Sequence, residues 1–174
     1  MTYLENPTAN LAPLAGTWVL DPARTTVEFR TKAMWMLNVK GTAQASGGSG
    51  AVGDDGTVAG RVEIDMSSVS TGNKKRDTHL QTADFLDTAK YPTMTFDVIS
   101  ARLTGPDRAE VAGTLAVHGQ TRPLTVPVEI HASANSVDVS AEFDIDRSQW
   151  NITWSKMGAG LHNRVFVKAH FAKS

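Results

Sequence analysis

Chemistry in this chain would have to come from a short roster of side chains. Five histidines, His79, His118, His131, His162 and His170, include no two at a metal-ligand spacing. With no cysteine, thiolate zinc sites, iron–sulfur clusters, disulfides and cysteine nucleophiles are excluded. No Gly-x-Ser-x-Gly elbow is present. Asp144, Asp146 and Ser148 could be set beside His162, but carboxylates that alternate along a strand are what the wet face of a sheet carries. The run Gly47-Gly48-Ser49-Gly50 lacks the Gly-Lys-Ser/Thr of a phosphate loop and reads as a bulged or tight hairpin segment. Arg76, Asp77 and His79 are the most suggestive group. A cation and an imidazole could hold a phosphate or carboxylate head group, and the same residues could instead pin a helix by an ion pair and a cap. Arg24 and Arg122 carry the same two readings.

The elements that must position these groups are mostly strands. Val137, Val139, Ala141, Phe143 and Ile145 alternate with Asp138, Ser140, Glu142, Asp144 and Asp146, which is the signature of a half-buried strand. Leu124 to Ile130, Val165 to Phe171, Val111 to Val117, Val62 to Met66, Met94 to Val98 and Val27 with Phe29 repeat the period. Turn signals fall between them at Asp54-Asp55-Gly56, Gly105-Pro106-Asp107, His118-Gly119-Gln120 and Ala134-Asn135-Ser136. Such short links predict antiparallel neighbours joined as hairpins. Pro123 and Pro127 predict a bulge or an edge-like position on their strand. One segment breaks the pattern: charged, helix-compatible residues around 74–88, with Thr78 and Gln81 spaced as a capping box and Leu80, Ala83 and Phe85 as an apolar stripe. The expected fold is all-β, an eight-stranded antiparallel barrel with this short helical insertion, since closure removes exposed edges. A two-sheet sandwich shares the periodicity.

Size and charge bound the partners. The 174 residues suit one domain, read as an irregular lead-in over 1–16 and a barrel over 17–174. Asn6, Pro7, Thr8, Asn10 and Pro13 give the lead-in its irregularity. A net charge of −1 offers no one-signed field for a nucleic-acid backbone. The N-terminus has no basic n-region with an apolar run, and no window nears the ~18 apolar residues of a membrane span. The expectation is a soluble, cytoplasmic protein without a transmembrane segment; a homodimer stays open.

Several motifs carry a family resemblance. Arg76-Asp77-x-His79-Leu80 is followed by Asp84-Phe85, Tyr91-Pro92 and Thr95-Phe96. Gly113 to Gly119 continues through Thr121-Arg122-Pro123 to Val126-Pro127-Val128. Trp18 to Asp21 and Phe143-Asp144-Ile145-Asp146-Arg147-Ser148 complete the series. In order and spacing the chain resembles the YceI-like family of lipocalin-like, polyisoprenoid-binding proteins over roughly residues 17–172. It departs from the family pattern where a histidine is replaced by Arg24, another by Ala33, and an aromatic by Ala43.

The resemblance implies a long apolar channel that holds an amphiphile, without catalysis and with no cofactor beyond a bound isoprenoid or other long-chain lipid. Candidate lumen residues are Val27, Phe29, Trp35, Ile64, Phe96, Leu115, Val117, Val126, Val139, Phe143 and Ile145. Arg24, Arg76 and His79 are candidate head-group contacts. Met34-Trp35-Met36 could be a pliable gate or ordinary wall packing. A barrel of this size can equally be filled by its own side chains. A structural or interaction domain is therefore one alternative, and an enzyme using the lumen is another.

Overall fold

The alternation becomes nine strands in one antiparallel sheet. The computed structural model describes residues 11–33, 37–156 and 159–174. The strands are β1 (Gly16–Leu20), β2 (Thr26–Ala33), β3 (Leu37–Val52), β4 (Val58–Ser70), β5 (Thr93–Gly105), β6 (Arg108–Val117), β7 (Gln120–Ala132), β8 (Ser136–Asp146) and β9 (His162–Lys173). One helix, α1 (Lys74–Leu80), lies between β4 and β5. The order β3-β2-β9-β8-β7-β6-β5-β4 returns to β3 and closes a barrel.

Nine strands make eight barrel positions because two share one. Both β1 and β2 lie between β3 and β9: Trp18 pairs with Gly50 and Lys173, and Val27 with Ala43 and Val167. A 3-10 turn at Pro22–Arg24 separates them, with the Asp21 side chain accepting the Ala23 N–H. Proline at the head of the turn removes a donor that has no partner there in any case.

The long strands bend through irregularities in their ladders. Register shifts interrupt β3–β4 between Thr42 and Gln44 and between Ala45 and Gly47, so the glycine run is a bulged strand segment. A Cβ on Gly48 would come within 2.6 Å of the Arg61 carbonyl oxygen, and β3 and β4 could not close up there. β7 carries no bulge against β6: Pro123 faces Thr114 and Pro127 faces Glu110 in unbroken register. Its ladder to β8 covers only Val128 to Ala132. Both prolines thus lie on the stretch that no strand flanks on that side, the edge-like alternative.

The helix is shorter than the sequence suggests, and its cap is a different residue. Gly72, at φ +79°, turns the chain after β4, and Asn73 accepts the Arg76 N–H at 3.0 Å. The helix starts at the first point the turn allows. Thr78 is therefore interior, donating back to the Lys74 carbonyl, and Gln81 is the C-terminal cap. Beyond Leu80 the chain runs in turns to Tyr91, within which Phe85 is buried.

Inward side chains form three clusters. Val27, Ile64, Met66, Leu115, Val117 and Trp150 belong to the first. Leu20, Ala45 and Ala169 make the second, and Ala109, Val126 and Val128 with Phe143 and Val139 packed on them make the third. The third draws mainly on the end of β5, the start of β6, the second half of β7 and the middle of β8, with Phe96 and Leu124 shared with the first, so it lies toward one end of the barrel. α1 lies at the other end.

Candidate functional site

At the helix end the walls stand apart around a cavity of about 610 Å³. That is within the roughly 300–1,000 Å³ usual for small-molecule sites. Its depth is apolar, with Val27, Phe29, Met66, Val117, Ile145 and Val165 on the walls. Space for the Phe29 ring comes from the facing strand. Phe29 pairs with Gly41, where an added Cβ would fall 2.2 Å from the ring. Ala43, 9% exposed, also lines the cavity, and this is a position where the family resemblance leads one to expect an aromatic.

The turn after β8 supplies two residues the sequence reading did not single out. Asp146 accepts from the backbone N–H and the hydroxyl of Ser148, at 3.0 and 2.6 Å, and nucleates a 3-10 turn over Arg147–Trp150. These bonds hold the Asp146 carboxyl below its ordinary pKa, the Ser148 hydroxyl contributing most. Asn151, at φ 64°, ends the turn. Asparagine tolerates this left-handed conformation better than most residues. Trp150 is 2% exposed, and its Nε1–H donates to the Leu115 carbonyl at 2.9 Å.

Arg147 is the unusual member. Only 9% exposed, it donates to the carbonyl oxygens of Gly160, Ile152 and Ala159. Its guanidinium lies 5.2 Å from the Phe85 ring centroid. Burial lowers its pKa, opposed by the charge of Asp146, but a guanidinium stays protonated near neutrality. The sequence signal was available in Asp146-x-Ser148, an Asx-turn pattern that fixes where the following side chains point.

The rim is built from α1 and the segment before β9. Arg76 donates from Nε to the Thr71 hydroxyl at 2.8 Å, and Asp77 accepts from the Thr71 backbone N–H and hydroxyl. These contacts pin α1 through Thr71 by hydrogen bonds, in place of the ion pair and cap that one reading of the cluster expected. His79 places Nε2 2.8 Å from Asp84 Oδ2 and its ring edge-on to Phe85 and Trp154, with centroids 5.1 and 4.8 Å away. Lys32, Lys75 and Lys156 complete the rim, and the Gly160 N–H ties the loop to the Lys32 carbonyl at 2.7 Å.

Of the candidate residues, Val27, Phe29, Val117, Ile145, Arg76 and His79 line the cavity. Ile64 and Leu115 are buried in the first cluster, and Phe96 packs against the first and third. Val126, Val139 and Phe143 belong to the third cluster. None of these six borders the cavity. The apolar channel expected to run through the barrel corresponds to a chamber at the α1 end, and the inward residues of the far end pack on one another as the third cluster. Arg24 lies before Val27, away from the rim residue Lys32, exposed and 3.6 Å from Asp21. Trp35, with Met34 and Met36, lies outside the described residues.

This architecture has counterparts among solved structures. A polyisoprenoid binding domain from Saccharophagus degradans, implicated in plant cell wall breakdown, superposes with a TM-score of 0.72 over 90% of this chain and 98% of that one, at 17% identity. BcnA of Burkholderia cenocepacia gives 0.71 over 89% and 99%, at 21% identity. Protein YceI of Escherichia coli O157:H7 is 42% identical over 69 residues, which are 40% of this chain and 36% of that protein. The match thus spans about a third of that relative's length. The YceI-like domain family model covers residues 18–172, nearly the full barrel. With the barrel, the α1 cap and the family model in agreement, this chain belongs to the YceI-like domain family.

Proposed function

We propose that this chain is a non-catalytic carrier or sequestering protein for a long-chain amphiphile of isoprenoid type. The tail enters the cavity, and the polar end stays at the α1 rim. The observation that carries this reading is a chamber with apolar depth beneath a polar rim. The likeness to a domain described as polyisoprenoid-binding supports the ligand class.

Magnitudes favour a tail. At ~30 Å³ per water-sized group, the cavity has room for about 20 such groups. Each buried methylene contributes roughly 0.8 kcal/mol, so a tail of 15–20 carbons has a gross drive of about 12–16 kcal/mol. Lost rigid-body and chain freedom offsets much of that. Micromolar or tighter binding then needs few polar contacts. Among the described residues no His, Asp or Glu cluster could hold a metal ion, and no helix is long and apolar enough to cross a membrane.

Mass spectrometry of an organic extract of the purified protein tests the reading. A stoichiometric long-chain lipid, or uptake of added prenyl alcohol, is expected. Absence of both would favour a structural role for the barrel.

A further inference from the structure

The charged side chains that line the cavity are of one sign, with Asp77, Asp84 and Asp146 set behind them. Lys32, Lys75, Arg76 and Lys156 stand at the rim, and Arg147 is buried in the wall below. No aspartate or glutamate lines the cavity among the described residues. The chain as a whole carries 18 acidic against 17 basic residues, so this segregation is local.

Pairing elsewhere sharpens the contrast. Of the seven arginines away from the cavity, all but the exposed Arg122 meet a carboxylate among the described residues: Arg24, Arg30, Arg61, Arg102, Arg108 and Arg164. Among the described residues, neither of the two cavity arginines does. Arg147 has three carbonyl acceptors for its N–H groups and feels the charge of the adjacent Asp146 without an ion-pair contact to it. Arg76 is held along one edge, by Nε to the Thr71 hydroxyl and Nη2 to the Thr71 carbonyl. Its Nη1 bonds nothing among the described residues. A fixed guanidinium with a spare donor, beside lysines and over an apolar chamber, is a receptor for an oxyanion.

We propose that the ligand of this cavity is anionic at its polar end, a single-chain amphiphile that terminates in a carboxylate or phosphate held by Arg76 and the rim lysines. This rests on the carrier reading above. The apolar chamber takes the tail whatever the head, and the cationic rim discriminates between heads. Low dielectric beneath the rim strengthens the attraction relative to open water, and added salt weakens its exposed part.

The test uses three ligands with one 20-carbon tail: geranylgeraniol, geranylgeranoic acid and geranylgeranyl monophosphate. Trp150 and Trp154 border the cavity, so intrinsic fluorescence of the full chain reports binding. At low salt at least one anion is expected to bind ten-fold or more tightly than the alcohol, with the gap narrowing in 1 M salt. Whether acid or phosphate leads identifies the head group, and either lead supports the proposal. Lys75→Gln with Lys156→Gln, both exposed and so tolerated by the fold, should bring the anion-to-alcohol ratio toward one. Adding Arg76→Gln should narrow it further. Alcohol binding as tightly as both anions would overturn the anionic head group and leave the carrier intact. No binding by any of the three would remove the carrier reading and this inference together.

Discussion

The sharpest test of a chamber at one end of an otherwise packed barrel uses two alanines on β3. Ala43 and Ala45 lie two residues apart on the same face, 9% and 5% exposed. Ala43 belongs to the first cluster on the side that lines the cavity, whereas Ala45 packs into the cluster of Leu20 and Ala169 and does not border the cavity. Ala43→Phe adds six carbons where there is room for about 20 water-sized groups, a little under a third of the space. Displacing about six tail carbons removes about 5 kcal/mol of gross drive at roughly 0.8 each. If ring rotation and tail bending recover half, about 2.5 kcal/mol remains, about a 60-fold weaker Kd. Stability should hold or rise, since the ring enters open space. Ala45→Phe meets packed neighbours and should cost about 1–3 kcal/mol. Urea unfolding and a fluorescence titration with geranylgeraniol, run on both variants, give the four numbers. Equal destabilisation by both substitutions, with tail uptake undiminished in Ala43→Phe, would refute the chamber.

Three further outcomes follow from the same geometry. Phe143→Asp strikes the packed end, so it should lower unfolding stability by about 3 kcal/mol or more, with no loss of tail binding beyond that of the folded fraction; selective loss of uptake would place Phe143 on the cavity after all. Trp150→Phe keeps an aromatic side chain but loses the donor to the Leu115 carbonyl and leaves space where the larger indole stood, and urea unfolding should register a loss of about 1–3 kcal/mol. Asp146 titrates below its ordinary value of 3.8, so its contribution is complete above that pH and fades as pH falls through the folded-state value. The stability gap between the wild type and Asp146→Ala should be about 1 kcal/mol at pH 7 and should shrink in acid, as followed by thermal melts across pH 2–7.

Local periodicity made the wall legible, because a strand with one wet face must alternate. Val137 to Ile145 against Asp138 to Asp146 leaves little choice of side. The depth of each inward residue was not legible, since it depends on registers set across the whole sheet. The bulges near Thr42 and Ala45 and the short β7–β8 ladder help set which residues of the other walls face Phe143 and Ile145, and no single strand encodes that. The helix cap failed for another reason. Two local patterns competed, and the turn at Gly72 decided for Asn73 before Thr78 could act. Arg147 reads as a surface residue by type. Its burial comes from carbonyls at 152, 159 and 160, brought round by a loop with no periodicity.

Because Ala109, Val126, Val128 and their neighbours pack against one another at the far end, the cavity opens beside α1. On the carrier reading proposed above, a guest would arrive and depart through that doorway, its last atoms in being its first atoms out. Whatever hands such cargo over, or collects it, would then dock against the lip formed by α1 and the loop before β9.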